Sequence, residues 1–282
     1  MDLNLKRVIF LITKNNNNKR IAFLIEYKGD GLVGWQKQNN GVSVQGEIEN
    51  ALKILFKMNL NLQAAGRTDS GVHALGQVAH VDIPLNNSFS KKNNFYLVAA
   101  LNSLLRKSNI RIVSIQNTSS EFNARFSALK RCYFYKFLFR SAPSSILKNQ
   151  VWHIRKRVDI ESMKKASKYL IGNHDFTSFR STSCQATSPC KTIDKFEFKF
   201  SEDILTIRIE AKSFLHNQVR IIAGSLIKVG TKIWKPINIK NILESKSRIK
   251  AGETAPPYGL YLEKVIYPNK LLKSSWPKYI FD

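Results

Sequence analysis

An α+β protein in two halves is what this sequence predicts, and three observations carry the prediction. Apolar residues alternate in some segments and recur at helical spacing in others. The order of those segments reads β-α-β-β-α-β twice, which is the ferredoxin-like split pattern. The 282 residues, 43% of them hydrophobic, suffice for a large core. The expectation is therefore two ferredoxin-like halves with mainly antiparallel sheets forming a central cleft. A basic, Asn-rich extension occupies 1–20, the N-terminal half 21–118 and the C-terminal half 119–282.

The first half opens with "IAFLIEY" (Ile21 to Tyr27), an apolar strand, followed by the Gly-rich turn "GDGLVGWQKQ". Val44, Ile48, Ala51 and Leu55 then mark a helix. Strands follow around Leu60 to Ala65 and Gln77 to Ile83; in the second, Ala79, Val81 and Ile83 alternate with His80 and Asp82. Phe95, Val98, Leu101 and Leu105 predict another helix, and "IRIVSI" (Ile110 to Ile115) a closing strand.

The second half begins with "RCYFYKFLFR" (Arg131 to Arg140), an aromatic strand with Tyr133, Tyr135, Phe137 and Phe139 on one face. A helix capped near Asp159 turns Ile160, Met163, Ser167 and Leu170 inward and stops at Gly172. "FEFKF" (Phe196 to Phe200) and "ILTIRIE" (Ile204 to Glu210) alternate across a short turn. Val219, Ile222 and Leu226 mark a helix ending at Gly230, and a further helix and "YGLYLEKVIY" (Tyr258 to Tyr267) finish the pattern.

Lys and Arg number 45 against 20 Asp and Glu, a net charge of +25 that favours a polyanion through phosphate neutralisation and counterion release. A chain this rich in Lys and Asn, as in "KNNNNKR" (Lys14 to Arg20), also carries charge on a solvated surface, so charge alone leaves both readings open. No apolar run reaches the roughly 18 residues of a membrane span, and the N-terminus lacks the basic-then-apolar order of a signal peptide. A cytoplasmic protein without membrane attachment is expected. The three cysteines (Cys132, Cys184, Cys190) form no C-x-x-C pair, and the five histidines (73, 80, 153, 174, 216) show no H-x-x-x-H spacing. Neither a disulfide framework nor a metal site is expected.

One stretch concentrates chemistry: "AAGRTDSGVHALGQVAH", Ala64 to His80. Apolar residues on both sides and glycines at 66, 71 and 76 predict a tight loop between strands with Asp69 at its tip. Taken alone, Asp69 reads either as a turn residue bonded to its own backbone or as a catalytic acid, and Arg67 as a surface cation.

"GRTDSGVHALGQVAH" resembles the catalytic motif of the tRNA pseudouridine synthase A family, in which the aspartate of G-R-T-D is essential. "YKGDGLVGWQKQ", "FNARFSALKRCYFY", "GNHDFTSFR", "FLHNQVRIIAGSL" and "APPYGLYL" resemble further segments of that family, in order, from about Ile21 to Pro268. Lys28 stands where the family usually has Asp, Lys130 where Arg is common, and Gln218 where Met is usual.

The resemblance implies a homodimeric isomerase that converts uridine to pseudouridine on the 3′ side of the tRNA anticodon stem-loop. Breaking the N-glycosidic bond, turning the uracil and rejoining it through carbon involves no redox change, so no cofactor and no metal are expected. Asp69 is implied as the catalytic residue, with attack on sugar, attack on base and proton removal all open. Arg220 is implied to pair with it, since an adjacent arginine favours a charged carboxylate. The target uridine must leave the base stack. Arg67 is implied to fill the gap, Tyr133 to lie against the flipped uracil, and Leu260 to form an apolar wall. His73 and His80 are read as structural, His73 orienting the loop. The alternative is a non-catalytic RNA-binding protein on the same fold, which needs the charge and the aromatics but not Asp69.

Overall fold

The computed structural model describes residues 18–272, so the Asn-rich extension expected over 1–20 lies almost wholly outside the described residues. Ten strands form one sheet in the order β4-β1-β3-β10-β5-β9-β8-β7, with β2 beside β3 and β6 beside β5. In chain order these are β1 (Asn18–Tyr27), β2 (Gln63–Ala64), β3 (His73–Pro84), β4 (Ile110–Thr118), β5 (Lys130–Phe139), β6 (Trp152–Ile154), β7 (Gly172–Asp175), β8 (Cys190–Ser201), β9 (Ile204–Ala211) and β10 (Leu260–Ile266). The helices are α1 (Val44–Phe56), α2 (Asn94–Leu104), α3 (Ile160–Ser167), α4 (Gln218–Gly230) and α5 (Ile237–Ser245). The class is α+β, and all strand pairs are antiparallel except β10 with β3 and β6 with β5.

Local chemistry accounts for the helix starts. Ser43 caps α1 by accepting from the Gly46 N–H, Asn93 caps α2 through Tyr96, and Asp159 caps α3 through Ser162. Met163, Ala166 and Leu170 are buried, as the helical spacing requires. Tyr135 and Phe137 are likewise buried on β5, with ring centroids 4.7 Å apart, and Phe139 stacks on Phe137 at 5.9 Å.

Two differences from the sequence pattern have physical causes. His80, expected to alternate outward, is buried, because β3 is an interior strand covered on both faces. Its Nδ1 accepts from the Ala124 N–H at 3.2 Å and its ring meets Phe122 edge-on. Burial holds its imidazole below the usual value of 6.5, and the neighbouring Arg20 adds to the effect. The segment expected as a strand around Leu60 to Ala65 pairs only at Gln63 and Ala64, opposite His80 and Ala79.

The two halves share one sheet rather than facing each other as separate sheets. β10 is the join: Tyr261 and Leu262 pair with His73 and Ala74 of β3, and Leu260 to Ile266 pair with β5. The two strands approach closely because residue 76 is glycine; a Cβ there would stand 2.5 Å from the Glu263 carbonyl oxygen. Two hydrophobic cores flank the join, and β10 contributes to both: Leu260 to one, Leu262 and Val265 to the other.

Candidate active site

Asp69 sits in the loop between β2 and β3, and its neighbours fix the backbone. Buried Thr68 places its hydroxyl 2.8 Å from that of Tyr27, while its carbonyl accepts from the Trp35 N–H at 3.0 Å. Burial raises the Tyr27 phenol to about 12, so it stays protonated. Gly34 makes the Trp35 contact possible: its φ is +104°, and a Cβ would lie 2.6 Å from the Thr68 carbonyl oxygen. Ser70 donates to the Leu32 carbonyl at 3.1 Å, and the Val72 N–H closes the loop onto the Asp69 carbonyl at 3.2 Å. Behind them, fully buried Gln77 donates to the Gly66 carbonyl at 2.8 Å.

His73 has the structural place expected of it. Its Nδ1 accepts from the Gly29 N–H at 2.9 Å, so Nε2 carries the hydrogen and faces the carbonyls of Asn149 and Tyr258 at 2.9 and 3.1 Å. Burial holds this imidazole below its usual value, and its ring stacks on Tyr261 at 4.6 Å.

The carboxylate of Asp69, 28% exposed, meets an arginine and a histidine from the other half of the chain. Arg220 Nη1 lies 3.2 Å from Oδ2, although the two residues are 151 positions apart in sequence. That guanidinium is only 13% exposed; it also donates to Asn217 Oδ1 and to the Ala255 carbonyl, each at 2.8 Å. Its Nη1 position is therefore set by partners other than Asp69. His216 Nε2 lies 3.2 Å from the opposite oxygen, Oδ1. Arg220 is in the first turn of α4, and His216 immediately precedes the left-handed Asn217 that caps it.

The other predicted residues differ in their settings. Arg67 is exposed, two positions before Asp69. Tyr133 is half-buried on β5, its ring edge-on to Phe214 at 5.2 Å. Burial raises its phenol well above the ordinary range, and the charge of Asp69 adds to the effect. Leu260 is buried at the start of β10, opposite Tyr135. The other acid near the motif is engaged elsewhere: Asp82 accepts two hydrogen bonds from Arg20, at 2.7 and 2.6 Å, and this pairing holds its carboxyl below the usual range. Among the described residues no group of three or more His, Cys, Asp or Glu is arranged to hold a metal ion.

Three residues here escaped the sequence reading: His216, Asn217 and Gln77. His216 had no spacing partner, because its contact is made across the fold. The one available signal was its position four residues before Arg220, which puts it at the mouth of the same helix.

Arranged this way, a partly exposed carboxylate is bonded to a guanidinium that other partners hold in place, which suits a nucleophile or base. A sequence profile described as tRNA pseudouridine synthase matches residues 166–268. The tRNA pseudouridine synthase A of Dinoroseobacter shibae is 45% identical over 258 residues, covering 90% of this chain and 98% of that one. The proteins of that name from Anaplasma phagocytophilum and Brucella ovis are 42% and 44% identical, each over 88% of this chain and over 100% and 98% of their own lengths. A solved structure of a Cbf5-Nop10-Gar1 complex aligns with a TM-score of 0.31 at 9% identity, covering 74% of this chain and 54% of that one, too loosely to add to the argument. Identity at this level along nearly the whole described fold, with Asp69 and Arg220 brought together, shows that this chain belongs to the tRNA pseudouridine synthase A family.

Proposed function

We propose that this protein isomerises uridine to pseudouridine on the 3′ side of the tRNA anticodon stem-loop, with Asp69 as the nucleophile. The observation that carries the reading is the Asp69–Arg220 pair: a carboxylate open to solvent on one side and bonded to a largely enclosed guanidinium, 13% exposed, on the other. In the reaction the N-glycosidic bond breaks, the uracil turns, its C5 joins the ribose, and the C5 proton is lost while N1 gains one. Electrons balance without an oxidant or reductant, so we read the enzyme as needing neither cofactor nor metal. Attack at the sugar gives Asp69 a bond to the ribose that breaks when C5 joins it; attack at the base gives a bond to the uracil that breaks afterwards, by elimination as the C5 proton is lost.

The surrounding residues take roles that their settings support. Arg67 is exposed beside the nucleophile, and its planar guanidinium suits stacking in the gap that the flipped uridine leaves. Tyr133, neutral because burial raises its phenol, is suited to lie against the uracil ring. Leu260, buried where β10 begins, supplies an apolar wall. The net charge of +25 supplies phosphate contacts along the tRNA, with shape rather than base sequence selecting the substrate.

We further read 21–118 and 119–282 as two ferredoxin-like halves around a catalytic cleft. What supports this is that the orders β4-β1-β3-β2 and β10-β5-β9-β8 repeat one arrangement. A cytoplasmic homodimer is the expected form; no helix among the described residues is long and apolar enough to cross a membrane.

The deciding experiment replaces Asp69 by Asn, which keeps the shape and the local turn hydrogen bond but cannot act as nucleophile. Wild type and Asp69→Asn are incubated with unmodified tRNA transcript, and pseudouridine is mapped after a single turnover. The wild type forms it at the anticodon stem-loop, while the variant forms none and binds tRNA within about 3-fold of wild type. Substantial product from the variant overturns the assignment of Asp69.

A further inference from the structure

His216 is the titratable group nearest the proposed nucleophile to which the reaction as described gives no task. Its Nε2 lies 3.2 Å from Asp69 Oδ1, while Arg220 reaches only Oδ2 and through a single nitrogen. A charged carboxylate only accepts hydrogen bonds, so Nε2 carries the proton in this contact. The lone pair of the neutral ring is then on Nδ1, and there Ser183 Oγ stands 3.3 Å away, itself 3.0 Å from Ser181 Oγ.

The backbone beneath the ring is fixed as well. The His216 carbonyl accepts from the Ser181 N–H at 3.0 Å. The Leu215 N–H donates to Gln218 Oε1 at 2.8 Å, and the Gln218 N–H returns to the Leu215 carbonyl at 3.1 Å. Gln218 is 1% exposed, so this turn is closed by a buried side chain rather than by solvent.

We propose that His216 is a positioning residue for Asp69: its Nε2, 3.2 Å from Oδ1, fixes the plane of the carboxylate when it carries the hydrogen, and the Nδ1 contact with Ser183 holds the ring there. With Arg220 alone, one hydrogen bond to one oxygen leaves the carboxylate free to swing about its Cβ–Cγ bond. A close contact on the second oxygen restricts that freedom, and reaction rates fall steeply when an attacking atom leaves its aligned position. The inference rests on Asp69 being the nucleophile of uridine isomerisation.

The test compares wild type with His216→Ala, His216→Gln, His216→Asn and Ser183→Ala, measuring single-turnover pseudouridine formation on unmodified tRNA transcript, tRNA Kd and Tm. His216→Ala is expected to slow the reaction about 10-fold with Kd and Tm near wild type. Glutamine puts its amide nitrogen where Nε2 was and recovers most of the rate; asparagine, whose amide reaches only as far as Nδ1, recovers little. Ser183→Ala is expected to slow the reaction about 2-fold, because the ring then loses its contact at Nδ1. A His216→Ala rate equal to or above wild type, a loss explained wholly by Kd or Tm, or equal rescue by asparagine and glutamine overturns the proposal. If the wild type itself forms no pseudouridine, the functional reading falls and takes this inference with it; if the wild type is active and the His216 variants match it, the inference alone falls.

Discussion

The loop that carries Asp69 and the turn that carries His216 and Arg220 meet at one carboxylate, yet they are held by different means. The loop is fixed mainly through its backbone and buried neighbours: Thr68 against Tyr27 and Trp35, Gly66 against Gln77, the following His73 against Gly29. The turn is fixed mainly through side chains: Gln218 on Leu215, Arg220 on Asn217 and Ala255. The loop therefore sets where the nucleophile is, and the turn sets which side chains meet its carboxylate and how it is oriented. Changes to the first should register mostly as lost stability and changes to the second mostly as lost rate.

Asp69 itself apart, the largest effect should come from the turn. Arg220→Ala is expected to lower single-turnover pseudouridine formation by at least about 100-fold, the scale seen when a preorganised donor is removed from a reacting centre. Arg220→Lys should fall between, since an ammonium cannot span Asp69, Asn217 and the Ala255 carbonyl with the fixed fork of a guanidinium. A rate near wild type for Arg220→Ala would break the division between loop and turn.

Gly34→Ala tests the other side. With φ at +104° and a Cβ 2.6 Å from the Thr68 carbonyl oxygen, alanine must displace the loop. A loss of more than about 1 kcal/mol in urea unfolding is expected, with activity falling as Asp69 moves. Wild-type stability for this variant would mean that the loop is anchored elsewhere. Tyr27→Phe is a finer probe: it removes only the hydroxyl 2.8 Å from Thr68 and should cost about 1 kcal/mol by the same measurement, with tRNA binding unchanged.

The smallest effect is a dependence of stability on pH. Burial holds His73 and His80 below their usual 6.5, so as pH falls through that value the unfolded chain takes up protons that the folded chain refuses. Stability should therefore decline on acidification from above 6.5 and level off once the pH is below the folded values. Asp82, lowered by Arg20, contributes only in the acid region below its usual 3.8, where protonation removes its pairing. Urea midpoints of wild type and His73→Gln at about pH 7.5 and about pH 5.5 check this; an equally steep decline in both proteins would remove His73 from the account.

Sequence patterning revealed the elements that bury one face along a regular period. Val44, Ile48 and Ala51 are buried on α1, and Ile207 and Ile209 are buried on β9 as the alternation required. It missed β6 and β7, three and four residues long, because segments so short show no period, and it misjudged His80 because burial on both faces of β3 depends on segments far along the chain. At the site, the G-R-T-D loop was legible because its contacts lie mostly within the nearby "YKGDGLVGW" segment. His216 was not, since a lone histidine acquires meaning only when the fold brings it to Asp69.

The position of β10 bears on how the chain is made. This strand, among the last residues described, pairs with β3 of the first half and β5 of the second, and feeds both cores. During synthesis β3 and β5 are both complete long before β10 leaves the ribosome, and each waits with part of one edge unpaired. The carboxylate and the guanidinium that must meet across the join are thus brought into register only once β10 has been made, and a nascent chain carries the residues of the site without yet having the site.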